Sequence, residues 1–510
     1  MRILEAGTVS AAATAIAADG DAGSAATTTT SAATHVQARG QDALTGQWPL
    51  RALLAVLALH LLMGLYDAAH PEVWLNADRA VTRWQDVQAF IAAWDAGGVL
   101  HFLAVSGNPG DYLIHAVLYL IGGKGAVIAG QVALALGSGL AIFRLGRLLG
   151  LSPRVSEWAT AVCLLLPHSL VFPHQLSTEA WHTPLLVIAT WSLIAALARP
   201  DARGQGLASG LFHGLAILVR PVTLLLPLLL LALGGRQLQG RRGRRLAALY
   251  LAGAFLPVLA WFAFVASQGG GFGFGPSSRD LGHNLYARVL RISHTLPEAE
   301  AEKVQRTYLN GPVRKVLPLG DYVDFAAAYP AAVLKHSARD TAMFVVKSGL
   351  ERIPIDYLEV NRESRAELQD DRSGWRFVME TQGVGQALGY LWRSQGPVLA
   401  TSLVGAVLML LLFGLAVLGG VIGLKGVNGL GPAARQQGLA ELALSRLTAG
   451  MLVAVVVYIL LLSQAVDAVQ SRHRAPAEFA LVLLAASGAT WLARRRLRIT
   501  TMAAMAGDEK

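Results

Sequence analysis

Residues 396–420 read GPVLATSLVGAVLMLLLFGLAVLGG, and this stretch contains no charged side chain. As an α-helix it would rise about 37 Å at 1.5 Å per residue, which is enough to cross a hydrocarbon core of about 30 Å. Apolar stretches of similar character recur along most of the 510 residues. The sequence therefore predicts an all-α polytopic membrane protein.

The composition supports this class and excludes others. Charged residues make up 15% of the chain, against about 25% in a typical soluble protein. The net charge of +10 comes from arginines that lie mostly between apolar segments, so it indicates orientation in the membrane and argues against a nucleic-acid partner. Cys163 is the only cysteine, which excludes an intrachain disulfide and a cysteine metal cluster. The preference for Arg, Ala and Gly is interpreted as the codon bias of a GC-rich bacterial genome.

Ten apolar segments are predicted as membrane spans, and clusters of arginine follow alternate ones. The positive-inside rule places these clusters in the cytoplasm, together with both termini, and the remaining loops outside. The loops expected to face the periplasm are 69–124, 174–179, 268–395 and 467–475. The predicted spans are 48–68, 125–146, 157–173, 180–198, 207–219, 221–234, 246–267, 396–420, 447–466 and 476–493.

The pair 207–219 and 221–234 is short for a membrane crossing, since about 14 residues rise only about 21 Å. Two arrangements are compatible with this length: the pair lines a water-filled cavity open to the outside, or it forms a re-entrant hairpin buried in protein. Either arrangement holds Arg220 at membrane depth.

Composition also divides the chain into regions. Residues 1–47 are rich in Ala, Thr and Ser and are expected to be a disordered cytoplasmic tail; acidic residues interrupt any signal-peptide core. Residues 48–267 are the predicted membrane catalytic module, including the outer loop 69–124 with an amphipathic helix over 80–95 and a short apolar piece over 109–121 that ends at Gly122 and Gly123. Residues 268–395 form a larger outer segment of helix and irregular loop, which is expected on the acceptor side. Residues 396–493 complete the membrane helices, and 494–510 form a basic cytoplasmic tail.

Carboxylates near the outer ends of the spans are candidates for general acid–base chemistry. Asp78 follows the first span, and Asp86 comes two helical turns later. A partly desolvated Asp has a raised pKa and can take a proton from an attacking hydroxyl. Helix capping is the alternative role, because Asn76 and Asp78 are both good N-cap residues.

A second polar cluster occupies the short outer turn between two spans, with His174, Glu179 and His182. Ionisable groups at a span boundary are costly and usually face an interior cavity. The Ser177-Thr178-Glu179 sequence is also an adequate helix cap, so both interpretations stay open.

Basic residues at outer positions are candidates for binding an anion. Arg220 at membrane depth requires an anionic partner or a wet cavity, unless it snorkels to the interface. Arg472, His473 and Arg474 lie in a loop predicted to be outside, whereas the other basic clusters lie in loops predicted to be cytoplasmic. Paired guanidinium groups suit a phosphate, and a structural contact with the acidic outer segment is the alternative.

The chain contains no HExxH, Walker A, GxSxG or dinucleotide-binding motif in its proper context. The GGGFGFG run over 269–275 has no Lys-Ser/Thr after it and is not interpreted as a nucleotide loop. The sequence therefore predicts no metal ligands and no required cofactor; a divalent cation is not indicated.

Several motifs, in their order and sidedness, carry a resemblance to a known class. They are NADRA at 76–80, NPGDY at 108–112 followed by LYLIGG, LLLPHSLVFPHQLSTEAW, GLAILVRP and SRHRAPAE. Over about 48–235 the chain resembles class C (GT-C) membrane glycosyltransferases, similar to bacterial protein O-mannosyltransferases and lipid A aminoarabinose transferases.

The resemblance implies a polyprenyl-phosphate sugar donor and an envelope acceptor on the periplasmic face of the bacterial inner membrane, with inversion. It implies that Asp78 is the catalytic carboxylate, and that Arg220 with Arg472 and Arg474 binds the lipid phosphate. Many relatives carry a second acidic residue beside that Asp; here Asp86 or Glu179 is the candidate. Further possible substrate contacts are Asn76, Tyr112, His174, His182 and His473.

Two other functions are compatible with the pattern. A polysaccharide polymerase or ligase with a lipid-pyrophosphate donor would place its key arginines in the large outer segment, where Arg352, Arg362 and Arg365 occur. A transporter would need ionisable groups along the whole bilayer, whereas those of this chain are concentrated outside. The sequence does not determine the sugar, the acceptor or the oligomeric state.

Overall fold

A computed structural model describes residues 49–75, 80–98, 109–198, 203–235, 237–269, 274, 277–309, 316–350, 375–425, 432–464 and 471–507. Within these ranges the regular structure is helical, and no strand occurs. The predicted tail 1–47 and the residues Asn76, Asp78, Arg352, Arg362 and Arg365 lie outside the described residues.

The helices follow one another in a single series. They are α1 Leu50–Ala69, α2 Ala80–Asp95, α3 Pro109–Leu148, α4 Pro153–Leu165, α5 Pro167–Val171, α6 Glu179–Ala198, α7 Arg203–Val219, α8 Leu226–Leu233, α9 Gly240–Ser267, α10 Ser277–Ser293, α11 Glu298–Val304, α12 Leu319–Ala328, α13 Pro330–Val346, α14 Trp375–Gln382, α15 Val384–Lys425, α16 Pro432–Ser463 and α17 Glu478–Gly507. Short 3-10 turns cover Pro71–Leu75, Phe172–His174, Pro221–Thr223, Ser471–His473 and Ala475–Ala477.

The predicted number of ten membrane spans is not confirmed. Seven of the described helices are long and apolar enough to cross a membrane, or eight if the bent pair Pro153–Leu165 and Pro167–His174 is one span. Two of the predicted spans correspond to Gly204–Val219 and Pro221–Leu233, which are shorter apolar helices. At 1.5 Å per residue neither reaches about 30 Å. The prediction of an all-α polytopic membrane protein is confirmed.

Two local predictions agree with the helix boundaries. The amphipathic pattern over 80–95 forms α2, which buries Val87 and Phe90 and leaves Trp94 exposed. The predicted end of a short helix at Gly122 and Gly123 appears as a break inside α3, where Gly123 has a φ of +63°. Glycine adopts this left-handed conformation without the steric cost of a Cβ atom.

Helix α6 lies at the centre of the bundle, and most of its residues are buried. Beside it, α7 and α9 approach closely because small residues face each other. A Cβ atom on Gly214 would lie 2.8 Å from the Ala254 carbonyl oxygen, and one on Gly253 would lie 2.5 Å from that of Leu207. The Tyr250 hydroxyl and His213 Nδ1 are 2.7 Å apart across this contact. Small residues at such spacing allow membrane helices to pack backbone to backbone.

The basic connections gather at one end of the bundle. Ser445 Oγ donates to the Leu149 carbonyl at 2.9 Å, at the connection after α3, and Gly234 packs against Leu197, which brings the ends of α6 and α8 together. Tyr458 follows Ser445 on α16 by 13 residues, about 20 Å along a helix. Its hydroxyl donates to the Val222 carbonyl at 2.8 Å, beside Arg220. Arg220 therefore lies towards the opposite end from the basic connections.

The described part of the outer segment forms α10–α13 around a small apolar core that includes Val289 and Phe325. Arg288 Nη1 donates to Asp340 Oδ2 at 2.7 Å and fixes α10 against α13. The end of α13 enters the main core through Phe344, which packs edge-on against Phe413 of α15. This part of the chain is therefore packed on the membrane helices.

Candidate active site

The centre of the site is an ion pair between the start of α6 and the end of α7. Arg220 Nη1 lies 2.9 Å from Glu179 Oε1. The Ser177 and Thr178 hydroxyls donate to Glu179 Oε2 at 2.7 and 2.9 Å. Both carboxylate oxygens are thus engaged, which does not favour Glu179 as a general base. We interpret it as the residue that positions Arg220.

The 3-10 turn Ser471–His473 adds positive charge to this pair. The charges of Arg220, Arg83 and Arg472 act on Glu179. Burial, together with the charges of Arg220 and Arg472, lowers the pKa of His473 to about 3, against the opposing charge of Glu179. His473 is therefore neutral at physiological pH. The fold brings Glu179, Arg220 and the turn Ser471–His473, which lie far apart in the sequence, together in space.

Helix α2 contributes a basic residue to which the sequence analysis gave no role. Arg83 Nε donates to Asp111 Oδ2 at 3.0 Å, and its Nη1 donates to the Leu176 carbonyl at 3.3 Å. Its Nη2 lies 3.5 Å from Thr178 Oγ1. Arg83 thus ties the outer helix α2 and the start of α3 to the turn before Glu179. A carboxylate at the start of an apolar helix, such as Asp111, was the available signal in the sequence.

His115 lies on the other side of Asp111. Trp181 Nε1 donates to His115 Nε2 at 2.9 Å. Because indole nitrogen is only a donor, a neutral His115 carries its proton on Nδ1, which faces Asp111 Oδ1 at 3.2 Å. Asp111 is buried and its Oδ2 accepts from Arg83, so we interpret Asp111 as a residue that positions Arg83.

Asp86 lies on the exposed face of α2. Partial desolvation of its carboxyl and the nearby charge of Asp111 raise the pKa of Asp86, while Arg83 opposes the shift. A carboxylate with a raised pKa is a better proton acceptor at neutral pH than an ordinary one. Asp86 thus stays a candidate for the second acidic residue.

Three predicted substrate contacts are buried in the protein. His174 Nδ1 faces Asp67 Oδ2, and its Nε2 lies 2.9 Å from His60 Nδ1, so this ring joins a buried polar chain to α1. Tyr112 is buried with Phe90 in the contact between α2 and α3. His182 is fully buried, and its Nε2 lies 3.4 Å from Thr223 Oγ1. Of these, His182 is the one near the ion pair.

The sequence led us to expect Arg474 in a cluster with Arg220 and Arg472. In the structure Arg474 does not join that cluster. Its side chain is fully buried. Its Nε donates to Glu478 Oε1 at 3.3 Å, and its Nη1 and Nη2 donate to the carbonyls of Phe344 and Ser348. The guanidinium is committed to the protein interior. We therefore interpret Arg474 as a structural residue and omit it from the proposed phosphate site.

Residues 76–79 lie outside the described residues, but the residues on either side of them pack beside the site. Trp74 and Ala80 belong to an apolar cluster with Leu176 and Val219. Leu176 lies two positions before Thr178, and Val219 lies directly before Arg220. The Trp74 carbonyl accepts from the Leu176 amide at 3.1 Å. Among the described residues, no group of three or more His, Cys, Asp or Glu side chains is arranged to hold a metal ion.

The fold and this cluster define a multi-pass membrane protein with a basic, partly buried site at one end of its helix bundle. Residues 109–261 match the family model described as dolichyl-phosphate-mannose-protein mannosyltransferase. This match confirms the resemblance to GT-C membrane glycosyltransferases and supports a glycosyltransferase that uses a polyprenyl-phosphate sugar donor. It contains Asp111, Glu179, His182 and Arg220. No curated protein and no solved structure matches the chain.

Proposed function

We propose that the protein is an inverting glycosyltransferase of a bacterial inner membrane, with its active site facing the periplasm. It moves a sugar from a polyprenyl-phosphate donor to an envelope glycan, lipid or protein, with residues 268–395 on the acceptor side. The observation that carries the proposal is the convergence of Arg220, Arg472 and His473 around Glu179. The basic connections lie towards the other end of the bundle, which the positive-inside rule makes cytoplasmic.

The leaving group of such a reaction is a phosphate, so the site needs positive charge where that phosphate departs. Arg220 and Arg472 supply it. Arg220 is 23% exposed while its partner Glu179 is 4% exposed, so the guanidinium extends from a buried anchor towards accessible space. An arginine held in this way can bind phosphate oxygens with little further loss of side-chain freedom.

The attacking acceptor hydroxyl needs a base, and Asp78 is the proposed one. Asp78 is two residues from Ala80, which packs with Val219 next to Arg220. In the proposed step the acceptor oxygen bonds to the anomeric carbon as the bond from that carbon to the phosphate oxygen breaks. The electron pair stays on the phosphate, and the hydroxyl proton goes to the carboxylate.

The proposal is tested first with a deletion strain, in which the missing glycan and the accumulated intermediate are identified by mass spectrometry. Purified protein is then assayed with polyprenyl-phosphate and polyprenyl-pyrophosphate sugars, and the anomeric configuration of the product is read by NMR. We expect transfer from the monophosphate donor with inversion. Transfer only from the pyrophosphate donor would overturn the proposal in favour of a polymerase or ligase.

A further inference from the structure

The chain passes from α7 to α8 through the turn 220–225, and one side chain of α16 binds this turn at two points. The end of a helix and the start of the next leave backbone carbonyls and amides without partners inside the helices. The Tyr458 hydroxyl donates to the Val222 carbonyl at 2.8 Å and accepts from the Leu225 amide at 3.3 Å. A hydroxyl has one donor and two acceptor sites, so it can make both bonds at once.

The position of Tyr458 in its helix makes these two bonds hard to replace. Tyr458 belongs to the span Ala443–Ser463 and lies five residues before its end, which is about 8 Å along the helix. Leu225 is exposed at the surface of the bundle. Within a span that surface faces lipid, which offers no hydrogen bond to a free amide or carbonyl. The hydroxyl therefore supplies bonds that the surroundings cannot supply.

The same turn is also held by α6. Arg220, its first residue, pairs with Glu179 at 2.9 Å. One helical turn further along α6, the fully buried His182 has its Nε2 at 3.4 Å from Oγ1 of Thr223, which is fully buried too. The backbone next to Arg220 is therefore held by two helices, α6 and α16.

Helix α16 leads along the chain to the connection that carries Arg472. Directly after that connection, Ala475 packs with Ala180 at the start of α6. Helix α16 is thus joined to the surroundings of the ion pair twice, through the Tyr458 hydroxyl and through its own continuation. The hydroxyl consequently links the turn that begins with Arg220 to the element that carries Arg472.

This link matters because the proposed phosphate site is built from two separate segments. A site of that kind is only as precise as the contacts that hold its segments in place. Arginine presents its donors in a rigid, planar fork, so a shift of its backbone misaligns the bonds to phosphate oxygens. Contacts behind Arg220 should therefore affect donor binding without touching the donor.

We propose that Tyr458 is a positioning residue for the donor phosphate, whose hydroxyl holds the turn after α7 so that Arg220 meets the phosphate together with Arg472. The inference rests on the proposed function. It gives a part in donor binding to a helix outside residues 109–261, the stretch that the family model matches.

The test removes the hydroxyl with Tyr458→Phe, which keeps the ring. Tyr250→Phe is the matched control, because it removes a buried hydroxyl that contacts the same helix α7, 2.7 Å from His213 Nδ1. Binding of farnesyl phosphate, an analogue of the lipid phosphate, is measured with purified protein, together with initial rates against polyprenyl-phosphate sugar. For Tyr458→Phe we expect the affinity and the donor kcat/KM to fall about 3- to 10-fold, as for the loss of one hydrogen bond. Tyr250→Phe should change neither.

A double variant shows whether Tyr458 acts through Arg220. If the hydroxyl only positions the guanidinium, it has no further effect once the guanidinium is gone. Tyr458→Phe combined with Arg220→Gln should therefore bind farnesyl phosphate as Arg220→Gln alone does. Thermal unfolding of each variant separates loss of binding from loss of fold. Thr223→Val, which loosens the same turn from the side of α6, replaces Tyr458→Phe if the latter does not fold.

Three results would overturn the inference: wild-type affinity in Tyr458→Phe, an equal loss in Tyr250→Phe, or fully additive losses in the double variant. If wild-type protein neither transfers from the donor nor binds farnesyl phosphate, the proposed function itself fails.

Discussion

Arg220 and Glu179 form an ion pair of 2.9 Å that joins the end of α7 to the start of α6, at the point where the short apolar helices Gly204–Val219 and Pro221–Leu233 meet. The sequence required a partner for an arginine at this depth, and a buried carboxylate 41 positions away provides it. Because that carboxylate also accepts from two hydroxyls, the guanidinium is held in one place before any ligand arrives.

Arg220→Gln should weaken use of the donor at least tenfold, since a charge-assisted hydrogen bond to phosphate is worth about 1.5–3 kcal/mol. The measurement is the initial transfer rate as a function of donor concentration, at equal protein abundance. Arg306→Gln is the matched control, because Arg306 is exposed in the outer segment and its Nη2 pairs with Oε2 of the equally exposed Glu302 at 3.0 Å. Equal donor dependence in Arg220→Gln and wild type would remove Arg220 from the phosphate site.

Asp78→Asn keeps the side-chain shape and the capping ability but removes the proton acceptor. A general base predicts a loss of turnover of roughly 10² to 10⁴, whereas a helix cap predicts near-normal turnover. The comparison uses purified protein and polyprenyl-phosphate sugar. Turnover of the wild type should also fall as the pH drops through the pKa of the base, because protonation abolishes it.

If Asp78→Asn retains more than about a tenth of the activity, the loss is smaller than removal of a general base predicts. Asp86 then becomes the candidate base. In that case the acid limb of the pH–rate profile should lie above the ordinary aspartate value of about 3.9, because desolvation and Asp111 raise the pKa of Asp86. Asp86→Asn would then remove this limb.

Arg474→Ala should lower the stability of the fold. Removal of one partner from a buried ion pair costs about 3–5 kcal/mol, because Glu478 and two carbonyl oxygens lose their donor. Thermal unfolding in detergent, compared with wild type and with the exposed variant Arg306→Gln, checks this. The protein that remains folded should show wild-type donor dependence; a selective loss of donor use at unchanged stability would return Arg474 to the phosphate site.

The orientation in the membrane is tested with reporter fusions after residues 240 and 330. Gly240 is the first residue of α9, directly before Arg241 and Arg242, and Pro330 begins α13 of the outer segment. We expect a cytoplasmic signal from the first fusion and a periplasmic signal from the second. The same compartment for both would contradict the orientation and with it the periplasmic active site.

Long apolar stretches determine helices by themselves, because the bilayer sets their length and the backbone satisfies its hydrogen bonds locally. The sequence was therefore sufficient for α2, for the break at Gly122 and Gly123, and for an arginine at membrane depth that needs a partner. It does not give the number of crossing helices, because hydropathy alone does not tell a short buried helix from a crossing one.

Tertiary structure decided which charged groups meet. Arg83 and Asp111 are 28 positions apart, and the Glu478 that holds Arg474 also contacts His168, 310 positions away. Arg472 and Arg474 look equivalent in the sequence, yet with about three residues per turn in 3-10 geometry, positions two apart point in different directions. Arg474 consequently points into the core and Arg472 towards the ion pair. This is because α13 and α17 pack over one side of that turn, and the local sequence does not encode their packing.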